Sequence, residues 1–194
     1  KKVLNLGCGF AQYKFKNIVN LDAYSICKPD VVWDLEKTPL PFPDKTFDAI
    51  VANHILEHVH NWWALVGDCA RVLKDGGKFE IYVPGSGSDG QSGYRDHVSI
   101  INAASFFGTF DMRRPNTNAW AFSSSTDPAN FLKIERHAAM MDRRWYHKFI
   151  PQKLKLWACE HLRNMELEHQ FVFRKLSEEE YRNKLKDEQL CPIP

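Results

Sequence analysis

Two stretches of the chain hold residue types that could do chemistry. The first is His54-Ile55-Leu56-Glu57-His58, a His-x-x-Glu-His spacing. On one continuous helix such a spacing lets two imidazoles hold a zinc ion while the carboxylate activates a water, as in zinc peptidases. The second is Gly7-Cys8-Gly9, with Asp22 and Asp34 further along. Glycines in a turn let a ligand come against the backbone and leave amides free to donate to it. An acid placed beside them can take two hydrogen bonds from a ribose diol. Which stretch is a site depends on the elements that carry it.

The first 84 residues alternate short apolar runs with turn signals, the pattern of an α/β fold with a doubly wound, mostly parallel sheet. Val3–Leu6 reads as a buried strand running into the glycine pair. Ile18–Leu21 ends at Asp22, Val31–Trp33 ends at Asp34, and Phe47–Ala52 ends at Asn53. The loop from Pro39 to Asp44 is rich in proline. A helix is expected over Ile55–Leu73, interrupted near His60-Asn61, with Asn61 capping its second half. Asp75-Gly76-Gly77 is a stop-and-turn signal, and Lys78–Val83 alternates as a fifth strand. In a parallel sheet the polar strand ends share one edge, so Gly7–Gly9, Asp22, Asp34 and Asn53 should line a single crevice. The same reading puts His54 in the turn before the helix. Its two histidines then do not share a helix, no third-ligand signature follows, and no metal is expected.

Beyond Pro84 the pattern is looser. Gly85–Gly93 has four glycines and three serines, as in a flexible loop or lid. Ser99–Phe110 is a candidate helix, and Phe131–Arg136 with Leu167–Arg174 alternates like a final antiparallel pair. Ser177 should cap a charged helix. One domain over residues 1–176 is expected, with a ligand-binding half (1–84), a substrate-side half (85–176) and a charged tail (177–194).

Composition narrows the class. Of 194 residues, 44% are hydrophobic and 26% charged, enough for one full core and too apolar for a disordered chain. No apolar run reaches membrane-spanning length, and the run after Lys1-Lys2 is too short for a signal-peptide core. The five cysteines are scattered without a Cys-x-x-Cys pair, which points to a reducing, cytoplasmic setting. Net charge is +2, but residues 111–160 carry nine Lys/Arg against five Asp/Glu, interleaved with aromatics. Such a block could meet a phosphate or nucleic acid.

A dinucleotide fingerprint would need a third glycine at position 12, which is Gln, and a longer crossover than Phe10–Asn17. No phosphate-binding P-loop motif occurs. The stretches VLNLGCG, NLDA, DVVWDLEKTPLPFPDKTFDAIVANHILEHV and RVLKDGGKFEIYVP instead resemble class I S-adenosylmethionine-dependent methyltransferases. The similarity is strong over residues 3–84 and loose over 94–107 and 163–175, and it is closest to small members with a shortened first helix. It implies a Rossmann-like sheet of about seven strands with an antiparallel final pair. It implies that Gly7, Cys8 and Gly9 hold the methionine moiety and that Asp22, with Ala23 beside it, takes the ribose hydroxyls. Asp34 and Leu35 would face the adenine, and Asn53 or His54 would accept from the methionine ammonium. Asn5 stands where many relatives have an acid, and Ala11 replaces a glycine.

On the acceptor side, His97 beside Asp96 is the candidate base. Glu57, His58, Tyr94, Arg95 and Arg113 are candidate substrate contacts. Asn53-His54 replaces the Asn-Pro-Pro-Tyr of amino-methylating nucleic-acid enzymes, which favours an oxygen acceptor on a small molecule or saccharide. A nucleic-acid methyltransferase using residues 111–160 and a non-catalytic assembly module are the alternatives.

Overall fold

The structure is a computed structural model that describes residues 1–13, 15–85, 88–102, 105–106, 131–141 and 166–189. Its strands are β1 (Val3–Leu6), β2 (Ile18–Asp22), β3 (Val31–Val32), β4 (Phe47–Asn53), β5 (Leu73–Pro84), β6 (Leu132–Met141) and β7 (Glu166–Lys175). They form one sheet in the order β3-β2-β1-β4-β5-β7-β6. The first five pair in parallel, and β7 runs antiparallel between β5 and β6. This is the mixed sheet expected from the sequence. The helices whose full length lies among the described residues are α1 (Trp62–Val72), the short α2 (Asp89–Ser92) and α3 (Glu178–Gln189). Among the described residues no helix is long and apolar enough to cross a membrane.

Register explains the core. Leu4, Ile50, Phe79 and Phe173 lie side by side across four strands, and Leu6, Ala52, Ile81 and Phe171 form the next row. All eight are fully buried, in one cluster with Leu65, Val66 and Cys69 of α1. Burying such side chains contributes about 1.5–3 kcal/mol each. The alternate residues point to the other face, where Asn5, Val51 and Glu80 form a more polar row. α1 starts where expected, with the Asn61 side chain accepting from the Ala64 amide, and Ser177 caps α3 by accepting from Glu180 N. Glu180 returns a bond to the Ser177 amide, completing a capping box.

Three expectations change. The turn expected at Asp75-Gly76-Gly77, between the helix and a strand from Lys78, lies inside β5 instead and bulges out between the pairs Phe47–Leu73 and Ala49–Lys78. The segment expected as a loose glycine–serine lid is hydrogen-bonded where described: Ser88 is buried, donates to the Gly85 carbonyl and accepts from the Gln91 amide. The candidate helix from Ser99 has no regular structure over Ser99–Asn102, is helical at Ser105-Phe106, and otherwise lies outside the described residues.

No regular helix occurs in the described part of the link between β1 and β2. Buried side-chain amides hold it instead. Asn5 Nδ2 donates to Asn20 Oδ1 (3.0 Å) and to the Ala11 carbonyl (3.4 Å). Asn20 exchanges bonds with the Tyr13 backbone and donates to Asp30 from both its amide and its side chain. Asn5 thus serves as a donor to two acceptors, which a carboxylate cannot do. The link begins at Gly7, whose φ is +64° and where an added Cβ would sit 2.3 Å from Ile55 Cγ1.

Asn5→Asp therefore places a buried charge against two acceptors and should cost about 1–3 kcal/mol in urea unfolding. Gly7→Ala combines left-handed backbone strain with overpacking and should cost about 2–5 kcal/mol in the same measurement.

Candidate functional site

The pairing register puts the sequence-predicted residues of the crevice at one edge. Leu6 pairs with both Leu21 and Ala52, and Asp22 pairs with Val32, so Gly7, Asp22, Trp33 and Asn53 follow neighbouring strand ends. The loop is fixed by the Cys8 amide donating to the Leu21 carbonyl (3.0 Å) and the Gly9 amide donating to Asp22 Oδ2 (2.8 Å). Asp22 Oδ1 accepts from the Tyr24 amide, and its side chain is buried, so the acid is set before any ligand arrives. Each of its oxygens keeps a free lone pair. Gly9 has φ +48° and nothing within 4 Å of the space a Cβ would fill. Gly7 is therefore glycine because Ile55 fills its space, whereas Gly9 opens onto the crevice.

The remaining cofactor-side residues sit as follows. Burial, then the Asp22 carboxylate and Cys27, push the Cys8 thiol up to about 11. It stays protonated at neutral pH, and the loop offers amides rather than a nucleophile. Ala23 and Asp34 are exposed, and Leu35 is buried. Asp34 Oδ1 accepts from the Glu36 amide, which orients its carboxylate. A groove of about 400 Å³ on the more polar sheet face, lined by Asn5, Val51, Glu80, Tyr82 and Glu168 among others, reaches the strand ends at Asn53.

After β4 the chain turns sharply through His54, which has φ +50°. A side chain in this region costs about 1–2 kcal/mol. The His54 amide donates to the Tyr82 carbonyl, and its ring lies between Glu57 Oε1 (3.2 Å) and Glu168 Oε2 (2.9 Å). The Glu57 bond, opposed by burial and helped by Glu168, raises the His54 pKa above its ordinary value. Leu56–His58 then forms a single 3-10 turn ahead of α1. The two histidines of the motif do not share an α-helix, as the sequence reading required.

Opposite this turn lies the segment Tyr94–Ser99, whose Val98 and Ser99 amides both donate to the Glu57 carbonyl. It brings His97 against His58, with ring centroids 4.7 Å apart, while Tyr94 stacks on the outer side of His97. The expected Asp96–His97 side-chain pair is corrected here. Asp96 Oδ2 lies 3.2 Å from His58 Nδ1, and His97 Nδ1 lies 3.1 Å from the Gln91 carbonyl. Arg95 and Asp96 lie in a turn whose His97 amide donates to the Tyr94 carbonyl, and the Asp96 carboxylate reaches the facing turn instead. Glu57, expected as a substrate contact, is fully buried. Tyr94 and Arg95 are exposed, as a substrate contact would be. Arg113 lies outside the described residues, as does the 111–160 block apart from 131–141. Sequence reasoning missed Glu168 and Gln91; neither has a local spacing signal, since strand pairing and chain reversal bring them in.

Comparison with known proteins adds what the chain is similar to. Residues 4–81 match the model for a methyltransferase domain. A 52-residue stretch is 44% identical to the demethylmenaquinone methyltransferase of Tropheryma whipplei (strain Twist), covering 27% of this chain and 22% of that protein. The match thus spans about a fifth of the length of that curated relative. A solved S-adenosylmethionine-dependent methyltransferase from Mesorhizobium loti is similar with TM-score 0.58 and 14% identity, over 90% of each chain. Another from Archaeoglobus fulgidus gives 0.57 and 14%, over 90% of this chain and 86% of that one. The strand order and these matches agree on the fold: residues 4–81 match a methyltransferase domain, and the chain has the class I S-adenosylmethionine-dependent methyltransferase fold.

Proposed function

We propose that the chain transfers the methyl group of S-adenosylmethionine to a hydroxyl oxygen of a small molecule or saccharide. The observation that carries this reading is the open space over Gly9, beside a buried Asp22 already held by the Gly9 and Tyr24 amides. That cradle fits a nucleoside with a flexible charged tail. Asp22 has lone pairs left for a diol, the Gly7–Gly9 backbone fits the methionine end, and Asp34 with the Leu35 amide fits the adenine edge. Exposed Asn53 and His54 offer carbonyls to the ammonium. When bound, S-adenosylmethionine supplies an electrophilic methyl group on a sulfonium.

The chain's own task is to align the acceptor oxygen with that methyl group and to exclude water. Tyr94, His97 and His58 form the acceptor-side wall, with exposed Arg95 at its rim. The Gln91 carbonyl can only accept, so His97 Nδ1 carries its hydrogen and Nε2 keeps a lone pair toward the acceptor. An imidazole lone pair can take the proton of a hydroxyl, which supports oxygen as the acceptor atom. Asp96 orients His58 rather than His97.

Calorimetric titration with S-adenosylhomocysteine tests the cofactor half. The intact chain should bind it, and Asp22→Ala should weaken binding by roughly tenfold to a hundredfold through lost charge-assisted hydrogen bonds. No binding by the intact chain sinks the reading. Gly9→Ala provides a sharper check: its Cβ meets nothing in the protein, so unfolding stability should fall by only about 1–2 kcal/mol. The same methyl group fills the ligand's approach, and S-adenosylhomocysteine affinity should fall by at least tenfold.

A further inference from the structure

Beside the crevice, Glu57, His58 and His97 each present a ligand atom, and these atoms lie within 4.8 Å of one another. Tetrahedral bonds of about 2.1 Å put ligand atoms about 3.4 Å apart, so modest side-chain rotations would close the set. Two independent features point to a ligand there. Glu57 is fully buried with Oε1 against His54, and its Oε2 has no hydrogen-bond partner among the described residues. A bare carboxylate oxygen in the interior is unfavourable unless something positive meets it.

The second feature is the orientation of the imidazoles. His58 Nδ1 faces the Asp96 carbonyl (3.1 Å) and its Oδ2 (3.2 Å), and His97 Nδ1 faces the Gln91 carbonyl (3.1 Å). Carbonyls accept only, so each Nδ1 donates and each Nε2 keeps its lone pair. Metal-ligating histidines are oriented by this kind of outer partner, and His54 does the same for Glu57.

We infer that Glu57, His58 and His97 form a binding site for a divalent transition-metal ion of the zinc class, on the acceptor side of the crevice. Two imidazoles and one carboxylate suit such an ion better than magnesium or calcium, which favour all-oxygen sets. Three protein ligands leave a coordination position open. The expectation of no metal rested on the search for a third ligand in the sequence after His58; His97 fills that place through a chain reversal with no signature. The pentapeptide contributes two ligands, and they are Glu57 and His58 rather than its two histidines.

The ion's role, though not the site itself, rests on the methyl-transfer reading. The acceptor hydroxyl oxygen takes the open position and its proton leaves to solvent. Its electron pair then forms the oxygen–carbon bond to the methyl group while the carbon–sulfur bond breaks, leaving that pair on sulfur. With the ion present, His97 Nε2 is a ligand atom and not the base.

Zinc chloride titrated calorimetrically into the tag-free, chelator-treated full chain tests the site. The chain has eight histidines, so the variants decide it. One zinc per chain is expected, weakened at least tenfold in both His58→Ala and His97→Ala. S-adenosylhomocysteine titrated into the same samples reports folding and should change by less than about twofold. Equal zinc binding by the intact chain and His97→Ala overturns the site, as does absence of zinc binding in a chain that binds S-adenosylhomocysteine. Zinc binding that the variants lose, in a chain that ignores S-adenosylhomocysteine, upholds the site and overturns the cofactor reading instead.

Discussion

No atom fits between Gly7 and Ile55. The glycine loop after β1 and the turn after β4 touch there, where even a methyl group would sit 2.3 Å from Ile55 Cγ1. This contact joins the two halves of the candidate site. The glycine loop rests on the turn that carries His54, Glu57 and His58. Because β1 and β4 are adjacent and in register, the two segments leave the sheet side by side. Only a residue without a side chain, free to adopt positive φ, lets them pack so closely.

Around this contact, side-chain hydrogen bonds hold the connections between elements. The β1–β2 link is held by Asn5, Asn20 and Asp30, each meeting a partner. On the other side of the sheet, Arg71 of α1 donates to the carbonyls of Leu40 and Phe42 and pairs with Asp44, holding the proline-rich loop. Satisfied networks of this kind specify one arrangement, because any alternative strands a buried donor or acceptor. Asn5 fits this position because its neighbours are acceptors.

The His-x-x-Glu-His stretch illustrates how a short motif divides. Its left-handed first residue breaks any continuous helix, so His54 turns toward Glu168 while Glu57 goes inward and His58 faces Asp96 and His97. The result is a chain of partners, Glu168–His54–Glu57, next to an imidazole pair. That is a different object from a two-histidine helix, although the five letters are the same.

Much of this was legible in the sequence. Strand cores, the polar residue closing each strand, the glycine pair, Asn61 as a cap and Ser177 as a cap are all local signals, set by alternation and by backbone hydrogen bonds within a few residues. They sufficed to gather Gly7–Gly9, Asp22, Asp34 and Asn53 at one edge, since parallel strands point their ends the same way. Tertiary structure alone decided which side chains meet across long separations. His54 finds Glu168 because β7 pairs with β5, and His97 finds His58 because the segment after α2 folds back onto the turn. Asp96 and His97 are neighbours in the chain, yet their side chains diverge to different partners. Sequence spacing governs contacts within one element, whereas contacts between elements follow from register and packing, which no local pattern encodes.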